Sequence, residues 1–304
     1  MAISKRGQII DLISHELKTP TVPILGYCEM LLNPKFGKLT NDQYDAVKEI
    51  MKNILELQIL IEQIIEKQKR VEEADSLDIL PRELRTPLVP ILGYCEMLNS
   101  EKLGPLDDFQ KEALNEIQVN SNRLNVLIND FWNAQELELG KIKYHLELID
   151  VTEFFNKISN KFSNSVMEKK ISFSTNIESN LNVYADNSKL IQIFSNLIEN
   201  SIVFVPENGK IIIEAKSQNG SIEFKVKDNG SGIPKEKHNE LFKKFHQIDT
   251  SHRRAHGGGG LGLVIVKGFI EGMNGKISVE SEEGKGTTFT INLPRKSKQY
   301  GIAH

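Results

Sequence analysis

Residues 15–20 read His-Glu-Leu-Lys-Thr-Pro, and residues 82–87 read Arg-Glu-Leu-Arg-Thr-Pro. The ten residues 22–31, VPILGYCEML, return unchanged at 89–98 with the same offset of 67. This duplication constrains the fold more than any other feature of the chain. Both copies must take the same local structure and bury the same face. They differ at one reactive position, where His15 is answered by Arg82. One copy holds a nucleophile, and the other can only pack.

In the first copy Ile10, Ile13, Leu17, Pro20, Ile24, Tyr27 and Leu31 are spaced alternately by three and four residues. This is the a/d seam of a helix packed along its length. Asn33 to Gly37 reads as a turn, and Thr40 with Gln43 reads as a capping box. Val47, Ile50, Ile54, Leu57, Ile61 and Ile64 form a second seam. The second copy repeats the pattern at Leu77, Leu80, Leu84, Pro87, Ile91, Tyr94 and Leu98, then at Leu114, Ile117, Leu124, Ile128 and Phe131. Gly104 and Pro105 mark its turn, Asp107 and Gln110 its cap, and Ser121 a polar interruption.

A lone hairpin leaves its seam exposed and needs a partner. Two hairpins joined by a short link near residues 73–78 predict an all-α, up-down-up-down four-helix bundle within one chain. A short link raises the effective concentration of one hairpin for the other to the order of millimolar. The competing arrangement is a homodimer in which each chain contributes one hairpin. Pro20, Pro23, Pro87 and Pro90 fall inside predicted helices and should bend or loosen them about one turn beyond residue 15. Pro81 fits if the third helix starts near Asp78, where a missing N–H falls in the first turn.

The net charge of -3 gives no reason to expect nucleic acid or an anionic membrane as partner. No apolar run approaches the ~20 residues that cross a bilayer, and residues 1–10 lack the apolar core of a signal peptide. The two cysteines, Cys28 and Cys95, are repeat equivalents. They read as small buried hydrophobes in a chain of a reducing compartment, consistent with a cytoplasmic location.

With Ile10 at heptad position a, His15 takes the exposed position f. An exposed histidine is ordinarily just a surface residue, but three features set this one apart. Glu16 is placed to accept a proton from one ring nitrogen, which raises the nucleophilicity of the other. Thr19 lies one turn on, where its hydroxyl can orient a water beside a modified ring. His15 is also the only histidine among the first 144 residues.

After Gly140 the period changes. Strands are predicted over 142–149 and 171–176, and helices over 151–168 and 187–204. A hairpin is expected around Asn219-Gly220. This mixture predicts an α+β sandwich with helices on one face of a mixed sheet. Asn196 and Asn200, four apart, share a helix face. Asp228-Asn229-Gly230-Ser231-Gly232 ends a strand, and Phe242 and Phe245 bracket a helical turn. Gly258-Gly259-Gly260-Leu261-Gly262 precedes an apolar helix, and Gly284 to Thr287 opens a last strand. A glycine loop before a helix suits a phosphate. It is not a Walker loop, because no Gly-Lys-Ser/Thr follows, nor a Rossmann turn, because no strand precedes it in a βαβ unit. The polar stretch 234–257 reads as a lid carrying His252, Arg253 and Arg254.

Taken together, residues 15–20 resemble the H-box of sensor histidine kinases. The ordered asparagine, glycine and phenylalanine clusters resemble the ATP-binding boxes of the same family. That ATP-binding domain belongs to a wider group that includes type II topoisomerases and Hsp90. The resemblance implies a first hairpin over 1–74, a degenerate second hairpin over 75–140, an ATP-binding domain over 141–297 and a tail over 298–304. It implies that His15 is the phosphoacceptor, Glu16 its assisting base and Thr19 the residue used in dephosphorylating a partner. It implies that Asn200 ligates Mg2+, Asn196 supports the phosphates and Asp228 accepts from the adenine amino group. Gly230 and Gly232 would let the backbone approach the base. Phe245, Arg253, Arg254, Gly258, Gly260, Leu261, Gly262 and Thr287 would complete the ATP site. The expected partner is the receiver domain of a response regulator. Val203 departs from the family, which often has a basic residue there.

Two readings of other classes stand beside this one. A pseudokinase scaffold would change shape on binding ATP without forming phosphohistidine. A plain ATPase of the wider group would release ADP independently of His15. Asn196 argues against the latter, because that group places a glutamate there to activate water and an amide cannot act as that base. No sensor precedes the first hairpin in this sequence, which points to a fragment or to control by a separate partner.

Overall fold

The computed structural model describes residues 5–70, 82–243 and 260–295. They divide after Glu138 into two compact units.

The first unit is helical. α1 (Lys5–Lys18) and α2 (Thr21–Leu32) form one rod broken at Thr19-Pro20, and α3 (Asn41–Arg70) returns beside it. A 3-10 turn (Arg82–Leu84) leads to α4 (Leu88–Asn99), and α5 (Asp108–Glu138) returns again. α2 packs on α3 and α5, and α4 packs on the same two helices, which closes a ring of four rods. This is the helical region that the repeat predicts.

Two details differ from the sequence reading. The first is the seam. Ile24, Cys28 and Leu31 are buried, as are Ile91, Cys95 and Leu98, while Tyr27 and Tyr94 are only half-buried. The break at Pro20 restarts the helix, so the heptad of α1 does not run on into α2. Pro20 cannot donate to the Glu16 carbonyl, and Thr21 Oγ1 instead caps the Lys18 carbonyl at 2.7 Å. The second is the third rod, where the described residues open with the 3-10 turn at Arg82–Leu84 and α-helix runs from Leu88. Pro87 and Pro90 cannot donate to the Glu83 and Thr86 carbonyls, as an unbroken helix through this stretch would require. Asp78, Leu77, Leu80 and Pro81 lie outside the described residues.

Both capping boxes form as expected. The Thr40 and Gln43 amides bond reciprocally to each other's side chains at 2.9 and 3.2 Å, and Asp107 and Gln110 do so at 3.0 and 2.8 Å. The caps also lock the hairpins together. Gln43 Nε2 donates to the Gly104 and Pro105 carbonyls at 3.0 Å, Gln110 Nε2 donates to Lys38 O at 3.4 Å, and Phe36 stacks on Phe109. Each copy thus satisfies the other's turn, as in an isologous interface. Cys28 and Cys95 are free and fully buried, and burial pushes both thiols up to about 12.

Ser121 interrupts the α5 seam where α3 has Ile54, and its buried Oγ has no hydrogen-bond partner among the described residues. An unpaired buried hydroxyl costs about 1 kcal/mol or more. Ser121→Ala should therefore raise the urea midpoint of the bundle, corresponding to roughly 1 kcal/mol.

The second unit is a sandwich. Its strands are β1 (Leu146–Asp150), β2 (Ser172–Ile177), β3 (Asn182–Asp186), β4 (Lys210–Gln218), β5 (Ser221–Asp228), β6 (Lys276–Glu282) and β7 (Gly286–Pro294). The main sheet has the order β2-β4-β5-β7-β6, with β2 parallel to β4 and the other pairs antiparallel. β1 and β3 pair separately. α6 (Val151–Glu168), α7 (Asn187–Phe204) and α8 (Gly262–Gly272) cover the sheet. Phe154, Phe155, Phe194 and Phe224 interlock edge to face between the layers, with centroids as close as 4.7 Å. The expected hairpin turns at Asn219 (φ +48°) and Gly220 (φ +79°).

Candidate functional site

His15 lies in the last turn of α1, and its side chain is exposed. The break that follows it depends on Thr19. The Thr19 amide and hydroxyl both donate to the His15 carbonyl, at 3.0 and 2.7 Å. The hydroxyl thus donates to the backbone and keeps its lone pairs for accepting. Glu16 is only 17% exposed, and its Oε2 lies 4.0 Å from Arg123 Nη2 on α5.

In the second unit the site is built around Asp228, the last residue of β5. Its Oδ1 accepts from the Gly230 amide at 2.9 Å and the Thr287 amide at 3.2 Å. Its Oδ2 accepts from Ser201 Oγ at 3.0 Å. Burial raises the Asp228 carboxyl above its ordinary 3.8, and these three hydrogen bonds only partly oppose the shift. A half-buried carboxylate held by three hydrogen bonds at a strand end is a precise acceptor for a ligand N–H.

The glycines beside it have a clear steric reason. A side chain at Gly230 would meet the Phe204 carbonyl at 2.8 Å. Gly232 has φ +68°, and its Cβ would run into the Glu282 backbone carbonyl. These glycines let the loop close against its own chain. Gly232→Ala combines a left-handed conformation, about 1–2 kcal/mol, with a backbone clash. We expect it to destabilise this unit by more than ~3 kcal/mol, seen as an earlier melting transition.

Ser281 ties the neighbouring loops together. Its Oγ accepts from the Ile233 amide at 2.8 Å and contacts Gly286 O and Thr287 Oγ1, each at 2.9 Å. Ser201 and Ser281 escaped the sequence reading. Ser201 carries a signal in hindsight, since it sits next to Asn200 and five residues after Asn196, on the inner side of α7.

Asn196 and Asn200 are both half-buried on α7. Asn196 Nδ2 donates to the Gly262 carbonyl at 3.2 Å, which joins α7 to the start of α8. Gly260 (φ +68°), Leu261 and Gly262 lead directly into that helix. Phe245, Arg253, Arg254 and Gly258, with His252, lie outside the described residues. Of the expected lid, residues Lys235–Glu240 form a 3-10 helix, and the stretch from 244 on lies outside.

An open cleft of about 520 Å³ lies beside Gly230, with Val203, Phe204, Ser231 and Lys169 among its lining residues. Val203 itself lacks the basic side chain, but Lys169 Nζ donates to the Ile202 and Val203 carbonyls at 2.6 and 3.0 Å. A cation therefore does stand at the end of α7, supplied by α6. Desolvation lowers the pKa of that ammonium.

No group of three or more His, Cys, Asp or Glu side chains is gathered for a metal among the described residues. A hard cation here would share Asn200 with ligand phosphates, the usual manner of Mg2+ at nucleotide sites.

The sequence model of the family described as "His Kinase A (phospho-acceptor) domain" matches the chain twice, at residues 5–73 and 75–140. That described as "Histidine kinase-, DNA gyrase B-, and HSP90-like ATPase" matches residues 185–297. The chain belongs to the sensor histidine kinases.

Among histidine kinases of known name, it is 32% identical over 228 residues to the circadian input-output histidine kinase CikA of Synechococcus elongatus, covering 74% of this chain and 30% of CikA. It is 29% identical over 296 residues to the signal transduction histidine-protein kinase BarA of Escherichia coli, covering 93% of this chain and 31% of BarA. The sensor histidine kinase WalK of Bacillus subtilis is 31% identical over 244 residues, covering 79% of this chain and 40% of WalK. The chain thus spans well under half the length of these relatives. Full-length ShkA, solved in complex with AMPPNP, superposes with a TM-score of 0.58 at 28% identity, covering 70% of this chain and 44% of that one. No described helix is long and apolar enough to cross a membrane.

Proposed function

We propose that this chain is an ATP-dependent protein-histidine kinase that phosphorylates its own His15 and passes the group to an aspartate of a response-regulator receiver domain. The observation that carries this reading is the pairing, in one histidine kinase core, of an exposed histidine at a helix break with a half-buried, hydrogen-bonded carboxylate. Asp228 accepts from the adenine amino group, while Asn196, Gly260 and the start of α8 face the phosphates. Asn200 would hold Mg2+ together with the phosphates, and the ion would supply charge neutralisation.

A ring nitrogen of His15 attacks the γ-phosphorus, the bond to the β–γ bridging oxygen breaks, and ADP leaves with the electron pair. The proton on the other nitrogen is shared with Glu16. Asn196 has no basic carboxylate with which to activate water, which favours transfer to His15 over hydrolysis.

In this reading the two hairpins stand in for the two subunits of a dimer, so the chain acts as a monomeric pseudo-dimer with one phosphoacceptor. The reciprocal bonds between the Gln43 and Gln110 turns support it. The two buried free thiols suit a reducing, cytoplasmic setting. The test is incubation with γ-labelled ATP, followed by peptide mapping. Acid-labile, base-stable label on the peptide containing His15 supports the reading. Bound nucleotide with no label would make the chain a nucleotide-responsive scaffold.

A further inference from the structure

The duplication contains its own control for residues that serve the phosphoacceptor. Glu16 recurs as Glu83, so the glutamate survives in both copies. Arg123, which faces Glu16, corresponds at the same offset of 67 to Glu56. The hairpin with the histidine therefore meets an arginine from the opposite hairpin, while the two equivalent positions for the histidine-less hairpin both hold glutamate. Burial follows the same division. Glu16 and Arg123 are 17% and 22% exposed, whereas Glu83 and Glu56 are both exposed to solvent.

This pair also differs from other ion pairs of the bundle. Lys18–Glu62, Lys52–Glu49 and Lys111–Glu101 all have side chains at least 41% exposed, where an ion pair constrains little. Charges withdrawn from water interact more strongly. The buried Nε of Arg123 has no hydrogen-bond partner among the described residues. A guanidinium with a spare donor can close on a carboxylate through two bonds, which fixes orientation as well as distance. A glutamate acting as base needs such restraint, because it must stay within hydrogen-bond reach of one ring nitrogen.

We infer that Arg123, carried by the hairpin without a histidine, is a positioning residue that aims Glu16 at His15. The inference rests on the kinase reading above. The second hairpin then does more than complete the bundle: it completes the phosphoacceptor site across the hairpin interface. It has kept the arginine that serves His15, while the first hairpin carries Glu56 opposite a position with no histidine to serve.

The test is a double-mutant cycle on the full chain, reading the initial rate of acid-labile labelling against ATP concentration. Arg123→Gln should lower kcat about tenfold with the KM for ATP unchanged. Arg123→Lys should recover part of that loss. In a Glu16→Gln background, Arg123→Gln should cause no further loss. Melting curves of each variant separate loss of fold from loss of rate. A wild-type rate in Arg123→Gln, or losses that multiply in the double variant, would overturn the inference. So would a fall in rate that follows melting temperature and is not recovered by lysine. Absence of label in the unmodified chain would instead overturn the kinase reading, and this inference with it.

Discussion

His15→Gln should reduce acid-labile labelling at least about a thousandfold while leaving fold and nucleotide binding intact. The size of the effect follows from the loss of the nucleophile itself, for which a carboxamide offers no substitute. The selectivity follows from geometry. His15 is exposed, and replacing a surface side chain usually changes stability by no more than about 0.5 kcal/mol. The His15 carbonyl, which accepts both the Thr19 amide and its hydroxyl, is untouched, so the break before α2 persists. No other described histidine can take over. His145 and His238 belong to the nucleotide-binding unit, and the His238 ring is bonded to Ile233 O at 3.0 Å. Arg82 is permanently charged and is no nucleophile. Residual label above background would place the acceptor elsewhere. The readouts are label per chain, melting temperature and affinity for a non-hydrolysable nucleotide.

Asp228→Asn should weaken ATP binding by about 10- to 100-fold, the worth of a hydrogen bond to a charged group. The nucleotide-free unit should become no less stable. Asparagine keeps an oxygen for the Gly230 and Thr287 amides, and Ser201 Oγ can accept from the new NH2 where it formerly donated. The folded carboxyl titrates above 3.8 because burial disfavours its charge. Its contribution to stability is therefore fully present below that value and is lost as pH rises through the raised folded value. At neutral pH the charged form is a cost retained for function, and the amide removes it. Titration calorimetry with ATP and melting without nucleotide test the two halves separately. A lower melting temperature with unchanged affinity would show Asp228 to be a structural turn residue.

Much of this was legible in the sequence because the chain states part of its fold twice. Each capping box could be read from three-residue spacing, and the Asn219-Gly220 turn from backbone preference alone. The exchange of bonds between the Gln43 and Gln110 turns could not be read, because it depends on which surfaces meet. The seam was misassigned at Tyr27 because a heptad was carried through Pro20, where the helix actually restarts. β3 and β6 were not foreseen. β3 has only five residues, and β6 alternates half-buried and exposed residues, without the apolar run of β4. At the site, Asp228 and its glycines could be found from order along the chain. The reason for the glycines could not, since it lies with Phe204 and Glu282, remote in sequence. Arg123 was invisible for the same reason: only the bundle brings it to Glu16.

The central claim is that one chain supplies both halves of the bundle around a single phosphoacceptor. Light scattering on the labelled protein over a hundredfold range of concentration tests it most directly. The account predicts the mass of one chain throughout, with one phosphohistidine per chain at most. A mass of two chains at every concentration, with label retained, would contradict it and assign the second hairpin's partner to another subunit.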